Sequence, residues 1–168
     1  MGTEEHRATA PKRLNIGILS ISTTRTLAED KSGHWIHRQA QKEGHQVVYH
    51  QVIPDDAQII STTISEVIRE HHPHALLLTG GTGASPKDVT IEAVRPLFSK
   101  ELSAFGVLFA QLSFEEIDAA ALLSRATAGV IDNVAVFCMP GSLNACKLAC
   151  KALIFPELGH LIRHIQEG

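Results

Sequence analysis

No apolar run in this 168-residue chain approaches the roughly 20 residues that a membrane-spanning helix needs. Basic residues are not in excess either. The net charge of −3 gives no electrostatic case for nucleic acid, whose binders carry a basic patch. Cysteine is scarce: Cys138, Cys146 and Cys150 are odd in number and clustered late, which argues against a disulfide framework. Met1 to Arg13 is polar and of mixed charge, without the apolar segment of a secretory signal. It is expected to be a flexible tail on a cytoplasmic protein. Repeats, linkers and low-complexity tracts are absent, which leaves a single domain over 14–168. That length suits one full core, and 44% hydrophobic with 20% charged residues is ordinary for a globular chain.

What is there is an alternation of apolar runs and helical periods. Leu14 to Ile21, Gln46 to Ile53, Ala75 to Thr79 and Val134 to Met139 are short, rich in branched or apolar residues, and read as buried strands. Between them, a helix capped by Ser32 should stop at Gly44, and another opened by Pro54-Asp55-Asp56 should end at His71, His72 and His74. Further helices are expected over Thr90–Phe98, Glu115–Arg125 and Leu143–Ile154, with Pro156 opening a last one. Phe105 to Leu112 is apolar on several sides, and Gly129 to Asn133 reads as a turn. The alternation predicts an α/β fold, three layers αβα, with a mostly parallel central sheet. In such sheets ligands bind outside the carboxyl ends of the strands. Four polar or glycine-rich turns should meet there, at Ser20–Ser22, Pro54–Asp56, Thr79–Asp88 and Pro140–Ser142.

The most informative of these is Thr79-Gly80-Gly81-Thr82-Gly83, followed by Asp88 and a helix start. Glycine lets main chain approach an anion, and free N–H groups then supply donors. This is not the phosphate-loop pattern, because Lys87 follows Pro86, and it is not the dinucleotide fingerprint, because Pro86 takes the place of the third glycine. Asp55 and Asp88 both fall at the ligand edge, where two carboxylates beside a phosphate cradle can hold Mg²⁺. A helix-capping role is open for each, with Thr90 as a competing cap for the second. Ser142 is expected to cap its helix and could offer a hydroxyl, and Arg125 reads as an anion contact or as complement to a helix dipole. Cys146 and Cys150, four apart, read as core, and His71, His72, His74, His34 and His37 as solvated positions. No nucleophilic Ser-His-Asp or Cys-His arrangement has supporting context.

Four segments carry a resemblance: Thr79-Gly-Gly-Thr-Gly-x-x-Pro-Lys-Asp-Val-Thr90, Leu112-Ser-Phe-Glu-Glu-Ile117, Leu123-Ser-Arg-Ala126 and Met139-Pro-Gly-Ser142. Together they resemble the MoaB/Mog family of molybdenum-cofactor biosynthesis proteins, and the MoaB branch more closely. The resemblance implies a molybdopterin-binding fold. It also implies adenylylation of molybdopterin with Mg-ATP, to adenylyl-molybdopterin and pyrophosphate. It implies Asp55 and Asp88 as catalytic and Mg²⁺-holding carboxylates. Thr79, Gly80, Gly81, Thr82 and Gly83 would form the phosphate cradle, with Ser22, Ser124, Pro140, Gly141 and Ser142 around the pocket. It further implies a homo-oligomer, trimer or hexamer, without nucleic-acid or membrane partners. The chain departs from the family's usual pattern at Thr23, where an acidic residue is common, and at Val107 and Ala110, where Glu and Arg are common. Lys87 stands for a common Arg. These departures keep a second reading open, a non-catalytic molybdopterin carrier or chaperone.

Overall fold

The computed structural model describes residues 11–167. Six strands form one sheet: β1 (Asn15–Ile21), β2 (Gln46–Ile53), β3 (Ala75–Thr79), β4 (Lys100–Glu101), β5 (Thr127–Ile131) and β6 (Val134–Met139). Their order is β2-β1-β3-β6-β5-β4. The pairings from β2 to β6 are parallel, and β6-β5 and β5-β4 are antiparallel. The helices are α1 (Lys31–Lys42), α2 (Ala57–His71), α3 (Thr90–Val94), α4 (Ser103–Ile117), α5 (Leu143–Leu148) and α6 (Phe155–Gln166).

Side chains of a strand alternate between faces, and both faces of this sheet are covered. Ile36, Phe105, Phe109, Leu158 and Ile162 pack on the face carrying Ile16, Ile18, Leu77 and Phe137. Ile60, Ile64, Val67 and Val94 pack on the face carrying Leu19, Leu76, Leu78 and Val136. A strand covered on both sides must be apolar throughout, which is why Leu76-Leu77-Leu78 reads as an unbroken run and is fully buried. The result is the three-layer αβα arrangement that the alternation predicts.

Several local expectations are corrected. Residues 1–10 of the expected tail lie outside the described residues, and Arg13 is tied to the sheet, donating through Nη2 to Gln46 Oε1 at 3.0 Å. Gly129 to Ile131 is strand, not turn. The reversal is confined to Asp132-Asn133, at φ +47 and +62, a two-residue hairpin connection that lets β5 pair with β6. The segment 115–125 is not one helix, because Asp118 at φ +51 ends α4 and a 3-10 turn continues over Asp118–Leu123. Thr90–Phe98 likewise divides, with α3 giving way to a 3-10 turn over Arg95–Leu97.

Pro156 stands in the first turn of α6, as expected, but no loop precedes that helix. From α5 the chain stays helical through a π-type stretch, Ala149–Ile154, into α6. There the Phe155 N–H reaches back to the Cys150 carbonyl. Widening the turn makes room for a proline ring that would otherwise clash with a carbonyl four residues back. The cap of α1 is Asp30, whose carboxylate accepts from Gly33 N, while Ser32 lies buried in the first turn. His74 is not solvated: its Nδ1 accepts the Asn15 N–H at 2.9 Å. His37 and His34 are also engaged, against His50 and the Leu27 carbonyl.

Candidate functional site

Because β2, β1, β3 and β6 run parallel side by side, their carboxyl ends share one edge. The β3 turn is shaped by two glycines in left-handed backbone, Gly80 at φ +100 and Gly81 at φ +65. A Cβ on Gly80 would lie 2.4 Å from the Ile21 carbonyl oxygen, and one on Gly81 would lie 2.3 Å from Thr90 Oγ1. Both positions therefore demand glycine. Thr90 pins the turn from the start of α3. Its Oγ1 donates to the Gly80 carbonyl at 2.9 Å, and its N–H to the Gly81 carbonyl at 2.9 Å. Thr79 Oγ1 donates to the Pro140 carbonyl at 3.0 Å and packs against the Cys146 thiol, joining the β3 turn to the β6 turn. Thr82 is buried.

The two carboxylates flank this turn, and neither caps a helix. Asp56 caps α2 by accepting from Ile59 N at 2.9 Å, which leaves Asp55 to other work. Asp55 Oδ2 accepts from Thr23 N at 2.8 Å and from Thr23 Oγ1 at 2.9 Å. Asp55 Oδ1 points at Gly81, 3.1 Å from where a Cβ would stand. Asp88 Oδ2 accepts from Ser85 N at 2.9 Å and lies 2.7 Å from a Cβ position on Gly83. Thr90 does not cap α3 either, since its hydroxyl is spent on Gly80. Among the described residues, Oδ1 of Asp55 and Oδ1 of Asp88 accept no hydrogen bond. One free carboxylate oxygen thus stands on each side of the glycine turn.

Arg125 is a positioning group that the sequence left between two roles. It performs neither as its main task. Its Nε donates to the Thr82 and Gly83 carbonyls at 2.9 and 3.1 Å, and its Nη2 to the Gly83 carbonyl at 2.9 Å. Its Nη1 pairs with Glu92 Oε1 at 2.6 Å. That hydrogen bond holds the Glu92 carboxyl below the ordinary range and raises the guanidinium in turn. The carbonyls of Thr82 and Gly83 face Arg125, those of Gly80 and Gly81 are taken by Thr90, and the Gly80 N–H donates to the Met139 carbonyl at 3.0 Å. The only signal in the sequence was the Leu123-Ser-Arg-Ala126 motif.

The remaining residues divide. Ser142 Oγ caps α5 through Ala145 N at 3.2 Å, as expected. Ser22 Oγ accepts from Arg25 N at 3.1 Å and shapes the loop after β1. Ser124 is half-buried beside Arg125, with its N–H on the Ala121 carbonyl. Below the edge, a fully buried carboxylate that sequence reasoning did not single out ties three elements together. Asp30 accepts from Ser20 Oγ at 2.5 Å, His50 Nε2 at 2.9 Å and Gly33 N at 2.9 Å. Burial alone would raise its carboxyl. The bonds from His50, Ser20 and Gly33 outweigh that and lower it. All three cysteines are free and buried, and burial pushes the Cys138 thiol up to about 12. Among the described residues, no group of three His, Cys, Asp or Glu side chains could hold a metal ion by itself.

A parallel sheet whose carboxyl edge carries a glycine turn with two carboxylates beside it defines an α/β protein of the class that takes its ligands at that edge. The particular family follows from comparison with known proteins. The pattern described as "Probable molybdopterin binding domain" matches residues 17–160. The chain is 42% identical to "Molybdenum cofactor biosynthesis protein B" of Bacillus subtilis over 168 residues, 99% of each chain. It is 40% identical to "Molybdopterin adenylyltransferase" of Pyrococcus furiosus over 173 aligned residues, covering 99% of this chain and 100% of that one. A crystal structure of a molybdenum cofactor biosynthesis protein B superposes with a TM-score of 0.91 at 41% identity, covering 95% of this chain and 99% of that one. The chain belongs to the molybdopterin-binding domain family, in its MoaB branch.

Proposed function

We propose that this protein acts in molybdenum cofactor biosynthesis by binding molybdopterin and adenylylating it with ATP, releasing pyrophosphate. The observation that carries the reading is the pair of unbonded oxygens, Asp55 Oδ1 and Asp88 Oδ1, on either side of the Gly80–Gly83 turn. A protein that only bound phosphate would gain nothing from carboxylates there. The name of the Pyrococcus furiosus relative supports the same activity.

In this reading the amides of Gly81, Thr82 and Gly83 bind phosphate, Gly80 shapes the turn with its own N–H on the Met139 carbonyl, and Thr79, Thr82, Ser22, Ser124 and Pro140–Ser142 shape the pocket. The reaction is one of positioning and charge neutralisation. Mg²⁺ fits the donor set. It is commonly held by one or two carboxylates together with substrate phosphates, which is what Asp55 and Asp88 offer. Bound there, it would neutralise charge on the transferred phosphoryl group. Residues 14–168 act as a single ligand-binding domain in the cytoplasm, where ATP is at hand.

A specific observation favours the second reading, the carrier. Val107 and Ala110 stand exposed on α4, where the family's common Glu and Arg would put charge. The departure at Thr23 weighs the other way, because Thr23 donates twice to Asp55 and so supports it. Incubation with molybdopterin, Mg²⁺ and α-labelled ATP separates the two. The enzyme yields labelled adenylyl-molybdopterin, and the carrier binds molybdopterin without product.

A further inference from the structure

Beside the glycine turn lies a basin of about 300 Å³ lined by Arg25, Glu29, Lys31, Ser32, Gly141, Ser142 and Leu143. Three observations set it apart. First, it adjoins the site: a Cβ on Gly141, one of the lining residues, would stand 3.2 Å from Gly80 Cα, so the basin's wall touches the glycine turn. Second, its positive charge is in excess. The one carboxylate in the lining, Glu29, accepts from the Thr26 N–H and Oγ1 at 2.9 Å each and is also drawn down by the nearby Arg25, which leaves two cations against one carboxylate. Among the described residues, no hydrogen bond or ion pair engages the side chain of Arg25 or Lys31. Lys31 also stands in the first turn of α1, which has no acidic residue, although that end of a helix favours negative charge. Third, the walls are stiff. Ser32 Oγ, buried, donates to the Gly141 carbonyl at 2.9 Å, and Asp30 anchors the start of α1 from below.

A rigid, positively charged recess sharing a wall with a phosphate cradle has an evident use in a displacement at phosphorus. Resting on the adenylylation reading above, we propose that Arg25 and Lys31 form a separate subsite for the diphosphate leaving group, the β- and γ-phosphates of ATP. An oxygen of the molybdopterin phosphate forms a new bond to the α-phosphorus. The bond from the α-phosphorus to the bridging oxygen breaks, and its electron pair leaves with pyrophosphate. The subsite neutralises charge on that product as it develops. Arg25 suits it by its fork of donors, and Lys31 as a point charge.

The test is calorimetric titration of the full chain with magnesium pyrophosphate, AMP and molybdopterin in turn. Wild type, Arg25→Ala/Lys31→Ala and the charge-keeping Arg25→Lys/Lys31→Arg are compared. Both side chains are exposed, so the fold is unaffected. Removing one charge-assisted hydrogen bond costs roughly tenfold in affinity. The double alanine variant should therefore weaken pyrophosphate binding at least about tenfold, with AMP and molybdopterin unchanged and the charge-keeping variant restoring most of the affinity. Pyrophosphate that binds the alanine variant as tightly as wild type, or fails to bind wild type, overturns the subsite. Failure of the adenylylation reading looks different: no adenylyl-molybdopterin forms, whatever happens to pyrophosphate.

Discussion

Two residues, Arg125 and Asp30, do most to hold the edge in shape without being assigned to the ligand. The planar fork of Arg125 spans two carbonyls of the glycine turn and a carboxylate of α3, a geometry that an ammonium cannot copy. Arg125→Lys should keep the fold, while molybdopterin affinity falls by about tenfold, read by titration calorimetry. Asp30 is a test of charge in the interior. Its folded-state carboxyl is lowered relative to the unfolded chain, so its contribution is fully present above the unfolded value near about pH 4. That contribution is lost as pH falls through the folded value. Asp30→Asn should lower stability by roughly 1–3 kcal/mol at pH 7, and the gap in melting temperature between variant and wild type should close as pH drops below about 4. A gap independent of pH would mean that shape, not charge, matters at this position.

At the scale of elements, the start of β1 depends on two imidazoles. Leu14 N donates to His45 Nδ1 at 3.3 Å, and Asn15 N to His74 Nδ1 at 2.9 Å. Burial lowers both histidines, so each is held neutral with its Nδ1 lone pair free to accept. Protonation removes the acceptor. A base whose folded value is depressed costs stability as pH falls below its unfolded value, here about 6.5. The melting temperature should therefore drop between pH 7 and pH 5. His74→Asn, whose amide oxygen can take the acceptor's place, should flatten part of that slope.

The same scale shows what the sequence disclosed. Strands β1, β2, β3 and β6 were legible because each is a bounded apolar run, and the four strand-end turns followed from the parallel topology. β5 was not legible, because Gly129 imitates a turn and the hairpin signal sits later, at Asp132-Asn133. The roles of Asp55 and Asp56 could not be separated either. Two adjacent aspartates after a strand give the same capping signal, and only the β1 loop, through Thr23, tells them apart. The interior role of Asp30 and the turn-holding role of Arg125 were hidden for a common reason: Ser20 and His50 lie 10 and 20 residues from Asp30, and Thr82 lies 43 from Arg125.

For the whole molecule, the outward side of α4 and of the 3-10 turn after it is apolar. Leu122 is 89% exposed, Val107 68% and Leu123 65%, with Phe114 and Ile117 beside them along α4 and the 3-10 turn after it. Apolar patches of this kind mark association surfaces. We propose that they join copies of this chain into the trimer or hexamer that the resemblance implies. Light scattering after gel filtration should give a mass three or six times that of the 18.2 kDa chain, and Leu122→Glu/Leu123→Glu should reduce it. A monomeric wild type contradicts this. The central claim is that the site turns molybdopterin over and does not merely hold it. The most direct measurement is the formation of labelled adenylyl-molybdopterin from molybdopterin and α-labelled Mg-ATP, with Asp88→Asn in parallel. The account predicts product from wild type, none from the variant, and molybdopterin bound by both. Molybdopterin bound by wild type without product, or equal product from the variant, would contradict it.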